Sequence, residues 1–124
     1  MAKSIILVAF GGALGSVLRY IIHILSIKFF PSKTFMATLL VNIVGCFLIG
    51  YFTGILDKKI TQNIYITNFL IIGFCGGFTT YSSFALQQFQ FINSNQLLTF
   101  ATYSIVTFIF AIICVYLGFY LSKF

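Results

Sequence analysis

The sequence reads as an all-α integral membrane protein of four transmembrane helices. Of its 124 residues 60% are hydrophobic and 6% charged, and the mean hydropathy is +1.10. A water-soluble domain carries about a quarter charged residues. The apolar residues fall into four runs, each long enough for the roughly 20 residues that a span requires. Short polar connectors separate the runs, and one of them holds the only proline, Pro31. This composition excludes an ordinary soluble enzyme and a disordered chain. The net charge of +6 is basic, but the cations stand singly or as one pair. They form no patch for nucleic acid, so none is expected as a partner.

Span one reads as residues 4–27, closed by Lys28 and the loop Phe30-Pro31-Ser32-Lys33. Proline stops a helix because it lacks an amide proton and clashes with the preceding turn. Span two reads as 34–56 and ends at Asp57-Lys58-Lys59. Span three reads as 64–91, before the polar stretch Asn93-Ser94-Asn95-Gln96, and span four as 97–121. The whole chain, 1–124, is then one four-span domain with no cleavable signal. Cys46, Cys75 and Cys114 lie inside apolar runs, which suits reduced thiols better than disulfides or a metal cluster.

An even number of spans returns the chain to its starting side. That side carries Lys3, Lys58, Lys59 and Lys123; the other carries Lys28 and Lys33, plus Arg19 if it reaches that way. So weak a bias is compatible with a fixed orientation and with insertion either way round.

Span three has the unusual composition. Gly73-Phe74-Cys75-Gly76-Gly77-Phe78-Thr79-Thr80-Tyr81-Ser82-Ser83-Phe84 places a glycine pair beside two threonines and two serines, a poor continuous helix. Gly76-Gly77 can unwind the backbone, or can simply let helices pack closely. Unwound carbonyls within a bilayer must be buried in protein, hydrated or bound to an ion. Without a carboxylate inside any span, a carbonyl cage suits a monovalent cation such as Na+.

Other polar groups need partners too. Asn42 puts an amide inside span two, near Gly45, Cys46 and Gly50. Tyr103, Thr107, Ala111 and Gly118 make a rough stripe on span four, and Ser82 and Ser83 add hydroxyls on span three. Arg19, the only arginine, sits roughly 22 Å along span one. It reads equally as a vestibule cation that draws in anions or as a snorkelling anchor. His23 reads as interfacial. Tyr81 and Phe84 lie at i and i+3 beside the break, and their positive ring edges can meet an anion or merely pack. Small-residue pairs, Gly11 with Gly15, Gly12 with Ser16 and Gly50 with Gly54, favour self-association.

The sequence resembles the CrcB/Fluc family of fluoride ion channels over nearly its whole length. The resemblance rests on Gly11-Gly12-Ala13-Leu14-Gly15 with Arg19-Tyr20, on Leu40-Val41-Asn42-Ile43-Val44-Gly45-Cys46-Phe47, and on residues 73–84 quoted above. It continues in Tyr103, Thr107 and Val115-Tyr116-Leu117-Gly118. It implies an antiparallel, dual-topology homodimer in the inner (plasma) membrane, with two fluoride pores and passive export of cytoplasmic fluoride. It implies a structural Na+ at the dimer centre, held by the Gly76 and Thr79 carbonyls of each subunit. It implies a pore of Asn42, Tyr81, Ser82, Ser83, Phe84, Tyr103 and Thr107, with Arg19 in the vestibule. A heterodimer with a second, divergent copy is also compatible. Two positions depart from the family pattern: Tyr81 stands where Phe is usual and Thr107 where Ser is usual. Both changes are expected to tune conduction without abolishing it.

A small proton-coupled multidrug exporter has the same size but needs a mid-membrane acid, and the only acid, Asp57, sits at a span end. A non-transporting assembly subunit would explain the small residues but not the polar ones. No nucleophile–base pair marks an enzyme.

Overall fold

The computed structural model describes residues 1–58 and 63–124. The described residues are helical, with no strand. α1 is Ala2–Phe29, α2 is Phe35–Lys58 and α3 is Ile64–Thr67, followed by a π-helical segment, Asn68–Cys75. α4 is Gly76–Phe78, α5 is Tyr81–Asn93 and α6 is Leu97–Leu121. Four stretches are long and apolar enough to cross a bilayer, the third running from Ile64 to Asn93. The helix ends lie within about two residues of the expected ones. Lys59, part of the expected end of span two, lies outside the described residues.

The connectors follow local chemistry. Phe30 ends α1 with its amide donating to the Ser26 carbonyl at 2.7 Å, one residue before Pro31. Asn63 caps α3, its Oδ1 accepting from the Tyr65 amide at 3.0 Å. Asn95 takes a left-handed φ of 55° between α5 and α6, a conformation asparagine tolerates better than most residues.

Two close helix pairings build the subunit. In the first, α1 lies against residues 68–78. A Cβ on Gly77 would stand 2.5 Å from the Gly12 carbonyl oxygen, and one on Gly73 3.0 Å from the Gly11 Cα. In the second, α2 lies against α6, and side chains at Gly50 and Gly118 would strike the Val115 and Phe47 carbonyls. With lipid as apolar as leucine, helices associate through such backbone contact and not through hydrophobic exclusion. The small residues seen in the sequence are therefore used first within the subunit. The outer faces, such as Phe10, Leu14, Ile105 and Phe108, are exposed, as lipid-facing or copy-facing surfaces are.

The third span is broken, but not at the glycine pair. Gly76 keeps a helical φ/ψ of −63/−37 and opens α4. The extended residues are Thr79 (−79/157) and Thr80 (−145/116). Gly77 is there for the contact with α1. The β-branched threonines, which disfavour helix, take the unwound positions. No residue pattern announces the π-helical turns before the break.

Candidate functional site

The break is organised by α2. Asn42 Nδ2 donates to the Thr80 carbonyl at 3.1 Å, and its Oδ1 accepts from the Thr80 amide at 2.8 Å. One side chain thus satisfies both backbone groups of the residue that left the helix. One turn along α2, Gly45 leaves room for the Thr79 methyl, which a Cβ there would strike. Thr79 Oγ1 donates back to the Cys75 carbonyl at 2.9 Å. Thr80 then caps α5, its Oγ1 accepting from the Ser83 amide at 3.2 Å and donating to Ser83 Oγ at 3.0 Å.

These bonds redirect two amides. In a helix the Thr80 amide would donate to the Gly76 carbonyl and the Ser83 amide to the Thr79 carbonyl. Here they go to Asn42 Oδ1 and Thr80 Oγ1. Gly76 and Thr79 lose their ordinary helical donors, while the Gly77 carbonyl accepts from Ser16 Oγ at 3.4 Å. Gly76 is exposed and a Cβ there would meet only the Ile71 carbonyl, 3.9 Å away. Packing within the subunit gives it no reason to be glycine.

Two cavities flank the Asn42–Thr80 pair. The larger, about 660 Å³, is lined by Asn42, Gly76, Thr79, Tyr81, Phe84 and Thr107 among others. No ionisable acid or base other than Tyr81 and two thiols lines it. The Thr107 hydroxyl is buried without a hydrogen-bond partner. A helical threonine usually bonds back to a carbonyl of the preceding turn, as Thr102 does at 2.8 Å. Tyr81 is 82% exposed in the single chain, and its ring centroid lies 6.2 Å from that of Phe84.

The second cavity, about 380 Å³, is lined by Arg19, His23, Thr38, Thr80, Ser83 and Gln87 among others. Arg19 shares that cavity with polar groups of α2 and α5. His23 lines the same cavity. The chain's single acid, Asp57, lines a different cavity with Thr53, Leu56 and Thr67. No carboxylate neutralises the Arg19 cavity.

The site residues expected from sequence therefore divide. Asn42, Tyr81, Phe84 and Thr107 meet in one cavity with Gly76 and Thr79; Ser83 and Arg19 meet in the other. Ser82 is exposed and lines neither cavity, its Oγ 3.4 Å from Thr80 Oγ1. Tyr103 is 4% exposed and lines neither cavity. Its ring packs 5.1 Å from Phe84, and its hydroxyl donates to Gln87 Oε1 at 2.9 Å. Gln87 Nε2 donates onward to Thr38 Oγ1 at 2.8 Å. Thr38, Thr80, Gln87 and the Gln88–Ser104 hydrogen bond were not singled out from the sequence. Adjacent amides inside an apolar span were the available signal, as for Asn42.

The comparisons with known proteins agree with one another. The family model "CrcB-like protein, Camphor Resistance (CrcB)" matches residues 6–119. The chain is 40% identical to a "Fluoride-specific ion channel FluC" of Flavobacterium psychrophilum, covering 94% of this chain and 88% of that protein. It is 39% identical to one of Azobacteroides pseudotrichonymphae, covering 100% and 99%. It is 34% identical to one of Aquifex aeolicus, covering 94% of each.

Proposed function

The chain belongs to the CrcB-like protein family, and on that premise we propose that it conducts fluoride passively across the membrane, lowering fluoride in the cell. It is a multi-pass membrane protein and a fluoride-specific ion channel like its bacterial relatives, whose inner membrane is the corresponding site. The observation that carries the mechanism is the unpartnered Thr107 hydroxyl beside Asn42, Tyr81 and Phe84. A buried donor without an acceptor is costly in a protein, and an anion supplies the acceptor.

Fluoride is small and strongly hydrated, so its water must be replaced by donors at close range. The Thr107 hydroxyl and the second Nδ2 proton of Asn42 serve as such donors. The edges of the Tyr81 and Phe84 rings carry partial positive charge. None of these groups is a full cation, so the ion is stabilised without being trapped. Arg19 acts earlier, raising the local anion concentration in its cavity. Ser83 and Gln87 continue the donors towards that cavity. Tyr103 acts through Gln87 and through its packing on Phe84. Ser82 is exposed and lines neither cavity, so it has no part in this path within the subunit.

The working unit is a dimer, and its antiparallel, dual-topology form suits the weak charge bias of the connectors. The exposure of Tyr81 and Gly76 beside the larger cavity supports a second copy there. A divergent second copy would complete the site in the same way. The redirected amides support the Na+ reading, because the Gly76 and Thr79 carbonyls lack their helical donors and hard oxygen ligands suit that ion. The two carbonyls of each copy would hold it, where it supplies fixed positive charge at the interface. Lipid is the remaining partner. A proton-coupled exporter is disfavoured by the place of Asp57 at the end of α2.

Fluoride efflux from liposomes, read with an electrode against chloride-loaded controls, tests the function. Rapid fluoride release without chloride release is expected. Absence of release from folded, dimeric protein would refute the homodimeric channel.

A further inference from the structure

We propose that Asn42 is a positioning residue as well as a pore donor: by holding both backbone groups of Thr80 it keeps the break open and leaves the Gly76 and Thr79 carbonyls free for a monovalent cation. The inference rests on the carbonyl-site reading above and gives it a cause in α2. A helix interior re-forms its own bonds wherever it can, and an exposed carbonyl within a bilayer is unfavourable. Something must therefore compete for the Thr80 amide. Asn42 Oδ1, at 2.8 Å, is that competitor, and Nδ2 takes the Thr80 carbonyl at 3.1 Å.

Gly45 acts from the same face. The Thr79 methyl occupies the space a side chain at Gly45 would fill, and the Phe78 ring comes within 3.2 Å of it. Thr79, extended at ψ 157°, is thereby seated against α2. Asn42 and Gly45, one turn apart, shape successive residues of the break, and Asn42, Gly45, Gly76 and Thr79 all line the larger cavity. The second Nδ2 proton remains for the anion, so one amide serves both the anion path and the cation seat.

The test is thermal unfolding of the purified full chain in detergent, titrated with NaCl against N-methylglucamine chloride, with fluoride efflux measured in parallel. In the unsubstituted protein Na+ raises the Tm. Asn42→Ala raises the Na+ concentration for half-maximal stabilisation by about tenfold or more, the scale of one lost buried hydrogen bond. Thr107→Val, which removes only a pore donor, lowers efflux and leaves the Na+ response intact. Should Asn42→Ala not fold, Asn42→Ser carries the same expectation, since its shorter side chain cannot hold both backbone groups of Thr80. A Na+ response in the unsubstituted protein that survives unchanged in whichever of these two variants folds overturns the positioning role alone. No Na+ response in the unsubstituted protein overturns the role together with the carbonyl site.

Discussion

The two cavities on either side of the Asn42–Thr80 pair use opposite chemistry. One gathers Arg19, His23 and several hydroxyls and amides; the other offers neutral donors and ring edges. On the proposed function, the difference separates capture from passage. A cation beside a cavity attracts anions over a distance comparable with the Debye length, about 8–10 Å in physiological salt. The same cation among the neutral donors, at low dielectric, would bind an anion too firmly to release it. Neutral donors stabilise the ion locally and let it leave.

Placing a charge in the neutral cavity breaks the contrast most severely. Thr107→Asp is expected to lower fluoride efflux by about a hundredfold or more, because a carboxylate faces the anion at low dielectric. Removing the neutral donor is milder. Thr107→Val should slow efflux by about tenfold, within the range for a hydrogen bond to a charged group, and reconstituted vesicles read both variants.

The charged cavity should respond differently. Arg19→Gln is expected to slow efflux by about threefold at low ionic strength and to converge on the unsubstituted rate in high salt, as screened steering does. Equal losses at both salt concentrations would place Arg19 in direct contact with the ion. Ser82→Ala should change efflux by less than about twofold, since an exposed substitution away from both cavities removes little. A larger loss would mean that Ser82 donates across the interface between copies.

Much of this was legible in the residues. Apolar runs and polar connectors located every span, because the bilayer demands about 20 apolar residues whatever they pack against. Asn42 was conspicuous because an amide inside a span needs partners. Its partner was not legible, since Thr80 lies 38 positions away and nothing local marks the pairing. The break was expected over 76–80, and glycine was the natural suspect for unwinding. The helix instead yields at Thr79-Thr80, because Gly77 is already committed to backbone contact with Gly12. Ser82 and Ser83 are adjacent and chemically identical, yet a helix turns about 100° per residue, and only Ser83 reaches a cavity. Gln87 and Gln88 were passed over as polar residues near a span end, although Gln87 links Tyr103 to Thr38.

By itself the sequence determined the membrane class and the number and approximate limits of the spans. Those properties follow from side-chain hydration and from backbone groups that lipid cannot satisfy, and both are counted residue by residue. Only the tertiary structure decided which side chains share a cavity, where span three unwinds and which carbonyls are left without an amide. Those outcomes depend on competition between groups far apart in the chain, and Asn42 wins the Thr80 amide only because α2 is packed against the break.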